Sequence, residues 1–530
     1  MTVSDSTDDG AGKGTGGPDR PALPDGLLDL ATTAGDEGSM PVEEPYTGTG
    51  VAEIPTCGEP AVDRAVGRAR EAGEAWADRP VEARAAVIER FHDLLLDRQA
   101  ELLDVIQVET GKARRHAHDE VTSAAVTARH YAVRAGGYLE PERRRGALPG
   151  LTRTEVFHEP KGVVGLIVPW NYPFELAVSD AVPALLAGNA VVVEPAEQTT
   201  HTALYALKLL REAGLPEDVL QVVPGRGPDV GPPLVERVDH VGFTGSTETG
   251  RTVAALAGER LTSCSLELGG KNAAIVRADA DLGRTVDGLV RGCFDNAGQT
   301  CIAIERIYVH ESVHEEFLDR FVAAAGALEP AATYDWDSKL GSLVSADQLD
   351  RVRSHVEEAR GDGATVHCGG RARPDVGPYV YEPTVLTGVD PDTTLGCEET
   401  FGPVVSVYPV DGDEAAVERA NDSRYGLNAS VWTADEARGR DLARRIEAGT
   451  VNVNEAYVAA YASVDAPMGG VKDSGIGRRH GEEGFYKYTE SKTVATQRVD
   501  ALAEPPIPFG LFTRLMAGTL KLWRRIPGLR

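Results

Sequence analysis

The chain has 530 residues, enough for more than one domain with large cores, and a formal charge of −28 from 82 acidic against 54 basic residues. Such a surface disfavours nucleic acid and anionic lipid as partners, and with arginine well ahead of lysine it suits solubility in concentrated salt and a salt-loving host. No apolar run reaches the roughly 18 residues of a spanning helix, the polar N-terminus carries no leader pattern, and the six cysteines (57, 264, 293, 301, 368 and 397) lack paired or metal-ligand spacing, so free thiols in a reducing cytoplasm are expected.

Residues 1–39 are rich in Gly, Asp, Ser, Thr and Pro and predict a disordered acidic segment. Residues 60–78 and 81–112 show helical spacing; in the second, Val87, Ile88, Phe91, Leu94, Leu95, Leu102, Leu103 and Ile106 recur every three or four positions. From 160 onward, short apolar runs (163–168, 190–193, 220–223, 241–243) alternate with helical stretches, and a second such series covers about 270–450. This alternation predicts an α/β fold of two open, mainly parallel sheets with a cleft between them. Residues 505–530 contain no acidic residue; Leu511, Phe512, Leu515, Met516, Leu520, Leu522 and Trp523 mix with Arg514, Lys521, Arg524 and Arg525. That is a basic amphipathic helix, expected to dock on the acidic body or on a sister subunit in preference to a membrane.

Five segments carry chemistry. Pro169-Trp-Asn-Tyr-Pro-Phe174 is a turn around Asn171, and Phe243-Thr-Gly-Ser-Thr-Glu-Thr-Gly250 is a glycine turn opening a helix at about Glu248. Leu266-Glu-Leu-Gly-Gly-Lys271 carries Glu267, Gly298-Gln-Thr-Cys301 carries a thiol, and Glu398-Glu-Thr-Phe-Gly-Pro403 follows. A carboxylate and a thiol on such elements can act as base and nucleophile. Taken singly, Glu267 could be a paired structural carboxylate, Asn171 a turn residue, and Cys301 an inert buried thiol of the kind expected for Cys264, Cys293 and Cys397. The glycines at 227 and 231, after the strand at 220–223, and at 245 let backbone amides approach a pyrophosphate, but G-x-G-x-x-G is absent.

In this order the five segments resemble the aldehyde dehydrogenase superfamily across about 45–498, most like its succinate-semialdehyde dehydrogenase branch. The resemblance implies an NAD(P)-binding domain from 40–138 and 159–268, a catalytic domain from 269–479, and a small β bridging element from 139–158 and 480–500 that builds homodimers or homotetramers. Residues 501–530 are then a tail. It implies that Cys301 attacks the aldehyde, that the Asn171 amide and the Cys301 N–H receive the oxyanion, and that Glu267 activates the water that hydrolyses the thioester. A coenzyme A-acylating enzyme would lack Glu267; a non-catalytic binding protein would not need it. The implied cofactor residues are Pro169, Trp170, Gly227, Gly231, Phe243, Gly245, Ser246 and Leu268, with Glu399 at the nicotinamide ribose and Phe401 beside the ring.

Three positions depart from the family pattern. Glu194 stands where lysine is usual near the adenosine ribose; with Glu197 it could accept bonds from free hydroxyls and repel a 2′-phosphate, which favours NAD over NADP. Asp180 stands where lysine is common. Asp295 stands where many members of the branch have an arginine for the substrate carboxylate, and would repel it. Succinate semialdehyde is expected, with a medium-chain, aromatic or amino aldehyde as the alternative.

Overall fold

The computed structural model describes residues 20–35, 37–146, 152–498 and 507–525. Residues 1–19 and 36 of the segment expected to be disordered lie outside them. Residues 20–35 correct that expectation. Leu27 is buried, Leu28–Leu30 form a 3-10 turn, and the Thr32 N–H donates to Val222 O at 2.8 Å while its hydroxyl meets Gln221 Oε1 at 2.5 Å. Composition counts apolar residues; here an edge strand with free backbone groups supplies the partner instead.

Six strands form the first sheet, in the order Gly475–Ile476, Ser263–Glu267, His240–Thr244, Val163–Val168, Ala190–Pro195, Leu220–Val222. Five are parallel; Gly475–Ile476 runs antiparallel along Ser263–Glu267, with Gly475 opposite Glu267. The strands read as unbroken apolar runs because both faces are covered, and the Pro173–Ala187 helix is buried on every side. Strand order reverses between Val163–Val168 and His240–Thr244, the place where open α/β sheets form binding crevices beyond their C-terminal ends. Pro169, Trp170 and Gly245 follow directly there.

Seven strands form the second sheet, in the order Thr365–Cys368, Thr384–Thr387, Val404–Val410, Ile304–His310, Asn272–Val276, Asn428–Trp432, Thr450–Val453. Only Thr365–Cys368 is antiparallel to its neighbour. Its core includes Leu289, Phe294, Ile307, Phe317, Phe321 and Val431. The helix expected over 81–112 breaks at Arg98 (φ −102°, ψ 16°) into Val81–Asp97 and Gln99–Thr110; the leucine spacing runs on across the break and hides it.

Leu139–Glu159 and Glu490–Arg530 form a separate compact unit, with a three-stranded sheet of Thr489–Gln497, Thr152–Pro160 and Glu142–Arg144. The boundary expected at 480 therefore falls at 490. Arg479, Phe485 and Tyr488 are buried within the first unit, and Arg479 and Tyr488 both bond to Asp180 there.

Candidate active site

Glu267 ends the Ser263–Glu267 strand, and the two glycines after it explain themselves by contact. A Cβ at Gly269 would fall 2.4 Å from Glu399 Oε2, and one at Gly270 would fall 2.8 Å from the Cys301 carbonyl oxygen. The turn that follows the carboxylate therefore lies directly against the cysteine. Leu268 is held by its N–H to Ser474 O at 3.0 Å, and a Cβ at Gly250 would strike its side chain at 2.4 Å. Glu267 is 8% exposed, and its Oε1 has no hydrogen-bond partner among the described residues. Burial raises its carboxyl to about 7, against the pull of Arg479 and Lys487.

Cys301 follows a left-handed run. Asn296 (φ 53°), Ala297 (φ 54°) and Gly298 (φ 72°) all take positive φ, and a Cβ at Gly298 would sit 2.0 Å from Gly402 O. The polar residues of the segment tie this loop down. Gln299 Nε2 donates to Asn296 O at 3.1 Å, Gln299 Oε1 accepts from Val344 N at 3.0 Å, and Asn272 Nδ2 donates to the Cys301 carbonyl at 2.8 Å. The thiol packs beside Ile302, Leu427, Met468, Tyr457 and Tyr461. Burial, then Glu399 and Glu267, push it up to about 12, so it is protonated at neutral pH and needs a base when it attacks. Of the three cysteines grouped as inert, Cys293 is buried and Cys264 half-buried, but Cys397 is exposed at the end of a four-residue helix.

Asn171 is positioned by a buried ion pair that the sequence did not reveal. Lys112 Nζ donates to Glu120 Oε2 at 2.7 Å and to Asn171 O at 2.6 Å. Glu120 Oε1 in turn accepts from Phe174 N at 2.6 Å, capping the Pro173–Ala187 helix. Asn171 Nδ2 donates one bond, to Gln299 O at 3.2 Å, two residues before Cys301. An amide nitrogen has a second N–H to give.

Asp180 is not a solvated acid but the centre of a buried network. It pairs with Arg479, accepts from Lys487 Nζ at 2.8 Å and from Tyr488 Oη at 2.7 Å. Burial works against its charge, yet Arg479 and then Lys487 outweigh it and hold the carboxyl below the usual aspartate range. Arg479 feels Asp180, Glu175 and Glu267 together, and its backbone is locked to Met468 by two 2.7 Å bonds. Around it the buried Glu175 Oε2, Glu267 Oε1, Arg479 Nε and both ring nitrogens of His480 have no hydrogen-bond partner among the described residues. Asp295 is held in place: Tyr457 Oη donates to it at 2.8 Å, and His116 Nε2 lies 3.2 Å away. His116 Nδ1 accepts from Asn296 N at 3.1 Å, so Nε2 carries the proton and donates to Asp295.

The residues assigned to a dinucleotide suit one. Gly245 N donates to Glu267 O at 3.1 Å, and a Cβ there would meet the Phe243 ring at 2.6 Å. Ser246 caps the Thr247–Arg260 helix by accepting from Thr249 N at 3.2 Å. Gly227 opens the Gly227–Arg237 helix and gives its N–H to Glu197 Oε1 at 3.3 Å. Two helix N-termini thus stand beside the sheet's reversal point, where they favour phosphate charge. A Cβ at Gly231 would lie 3.4 Å from Glu194 Oε2, an atom with no partner; burial, then Glu197, push Glu194 well above the ordinary range. Glu399 Oε1 accepts from Gly270 N at 2.8 Å, and burial, then Glu305, raise it to about 8. Glu305 fixes the next two residues, accepting from Thr400 N and Phe401 N while paired with Lys271 at 2.5 Å. Phe401 (φ 58°) meets Trp170 edge to face at 5.5 Å. Orphaned acid oxygens for hydroxyls, helix N-termini for phosphates and an aromatic pair are the donor set and shape such a cofactor uses.

Comparison with known proteins gives the same answer from another direction. The model of the aldehyde dehydrogenase family matches residues 32–494. A protein of Mycolicibacterium smegmatis with the provisional name succinate-semialdehyde dehydrogenase (NADP(+)) is 50% identical over 492 residues, 92% of this chain and 95% of that protein. The crystal structure of betaine aldehyde dehydrogenase from Staphylococcus aureus in complex with NAD+ superimposes with a TM-score of 0.85 at 31% identity, covering 89% of this chain and 94% of that one. The NAD+ complex of an aldehyde dehydrogenase from Bacillus cereus does so with a TM-score of 0.83 at 37% identity, covering 87% and 93%.

Proposed function

We propose, for a chain that belongs to the aldehyde dehydrogenase family, that it oxidises an aldehyde to a carboxylic acid with NAD or NADP through a thiohemiacetal and a thioester on Cys301, and that the aldehyde is succinate semialdehyde. The observation that carries this is the glycine turn that lays the segment after Glu267 against the carbonyl of Cys301. Cys301 Sγ attacks the aldehyde carbon as its proton passes to water in the cleft and on to solvent. The spare Asn171 N–H and the Cys301 backbone N–H receive the oxyanion; losing one such donor typically costs roughly 10²–10³ in rate. Bound nicotinamide supplies the hydride acceptor that turns the thiohemiacetal into a thioester. Glu267, with a carboxyl near 7, takes the proton of the hydrolytic water. Glu194 and Glu197 hold the adenosine ribose, Gly227, Gly231, Gly245 and Ser246 the phosphates, Pro169, Trp170, Phe243 and Leu268 the flanking surfaces, and Glu399 and Phe401 the nicotinamide riboside.

The substrate assignment rests on the likeness to the succinate-semialdehyde branch; Tyr457 and His116 fix Asp295 without supplying a positive charge, so a cation elsewhere must meet the substrate carboxylate. The tyrosines and Met468 beside the thiol suit an uncharged aldehyde equally well, and that is the alternative. NAD is the favoured cofactor through Glu194. The enzyme works in the cytoplasm as a homodimer or homotetramer. Reduced-cofactor formation over an aldehyde panel, with wild type and Cys301→Ala in parallel, tests this reading. Cys301-dependent turnover fastest with succinate semialdehyde is expected. Faster turnover of uncharged aldehydes overturns the substrate, and no reduction of either cofactor by folded protein overturns the chemistry.

A further inference from the structure

We propose that the Phe509–Trp523 helix is an interfacial anchor that seats this protein on the surface of an anionic lipid membrane. The helix lies beyond the family match, which ends at residue 494. At about 100° per residue, Leu511, Phe512, Leu515, Met516, Leu520 and Trp523 share one half of its circumference with Phe509 and Leu522, and Thr519 is the one polar residue among them. Arg514, Lys521, Arg524 and Arg525 lie on the other half, among Gly510, Ala517 and Gly518. Fifteen residues cannot cross a bilayer, which needs about 20; such a helix can only lie along one.

Five of the eight apolar residues on this half are exposed, and Phe512, Met516 and Trp523 are partly exposed. Phe509 is 64% exposed, Leu515 55%, Leu520 54% and Leu522 57%. Soluble proteins rarely present consecutive turns of large apolar side chains without a partner for them. Two partners compete, and the helix distinguishes them. A helix docked on protein buries a stripe of roughly 100°, and on an acidic protein its cations should face the contact. Here the apolar arc is nearly twice that width, and the cations sit away from it. A lipid interface asks for this arrangement: a broad apolar half sunk to the acyl boundary, with cations from both flanks reaching back to headgroup phosphates. Residues 505 to 530 carry no acidic residue, so this segment, unlike the acidic remainder of a chain of charge −28, is complementary to those phosphates. The width of the apolar arc and the placing of the cations outside it favour lipid over the protein docking expected from composition.

Flotation of the full chain with vesicles of phosphatidylglycerol and phosphatidylcholine in equal parts, and with phosphatidylcholine alone, tests this at about 0.15 M salt. Wild type is expected to float with the mixed vesicles. Leu515→Glu/Leu522→Glu is expected to stay in solution. Arg514→Glu/Lys521→Glu is expected to bind the mixed vesicles at least roughly tenfold more weakly. All should keep wild-type turnover in solution, since the helix holds no active-site residue; that readout also shows that the variants fold. Wild type that remains unbound overturns the proposal. So does equal binding to both vesicles, or a leucine pair whose only effect is to change the mass of the assembly, which would make the occupant a second copy of the chain.

Discussion

Lowering pH from 8 to 6 should slow thioester hydrolysis about tenfold and leave thioester formation less affected. A base with a pKa of about 7 is roughly 90% ionised at pH 8 and 10% at pH 6. The same reasoning fixes the direction for Arg479. Its guanidinium, buried with Asp180, pulls the Glu267 carboxyl down against burial. A nearby opposite charge typically lowers a carboxyl by roughly one to three pKa units. Arg479→Met should therefore move the midpoint from about 7 towards about 9 and slow hydrolysis roughly twentyfold at pH 7.5. Arg479→Lys, which keeps the charge, should return much of the loss. Rapid mixing separates the two halves: the burst of reduced cofactor reports thioester formation and the linear phase its hydrolysis. A linear phase flat from pH 6 to 8 with the burst intact, or an Arg479→Met midpoint unmoved, would refute the reasoning.

Glu267→Gln should abolish the linear phase and stabilise the protein at pH 8. The folded carboxyl is raised from 4.5 to about 7, so its stability contribution is complete below 4.5 and lost as pH rises through 7; ionised Glu267 then costs on the order of 3 kcal/mol, which glutamine relieves. Thermal unfolding at pH 5 and pH 8 checks this, the gain being confined to the higher pH. Glu194→Ser should reduce the ratio of kcat/KM for NAD over NADP at least about tenfold, by removing the carboxyl that would accept from free ribose hydroxyls; a wild type that already prefers NADP contradicts it. Gly298→Ala should cost about 1–2 kcal/mol for the left-handed backbone alone, and more because the new Cβ would meet Gly402 O at 2.0 Å. Its unfolding midpoint and the alkylation rate of Cys301 should both change.

Much of the site was legible because its residues sit in ordered words. Glu267 is announced by two glycines with no room for side chains, Cys301 by a small polar loop, and the sheets by apolar runs that only two-sided burial explains. What was hidden depends on pairs far apart in the chain. Arg479 and Asp180 are 299 residues apart. In an acidic, arginine-rich chain a buried arginine looks like any surface one, and Asp180 showed only as a departure without its partner. Lys112 and Glu120 lie on separate turns, and nothing in their spacing says that both face Asn171. That Tyr457, 162 residues later, holds Asp295 in place could not be seen either. Residues 20–35 read as unfolded because hydrophobicity does not count the backbone bonds offered by a strand edge.

The short strand Gly475–Ile476 bears on how the molecule is made. Among the described residues it is the one strand that pairs with the outer edge of the strand ending in Glu267, and Ser474 beside it bonds both Leu268 N and Gly269 O. On a ribosome the first sheet's other five strands emerge long before this one, which appears about two hundred residues after Glu267, roughly ten to forty seconds later at ordinary synthesis rates. Throughout that interval the strand's edge is open to pairing with other nascent chains. The surroundings of the proposed base are thus among the last features to be completed, and a chain that terminates before residue 475 exposes an adhesive edge. Translation that stalls late in the message should produce aggregate rather than soluble fragment.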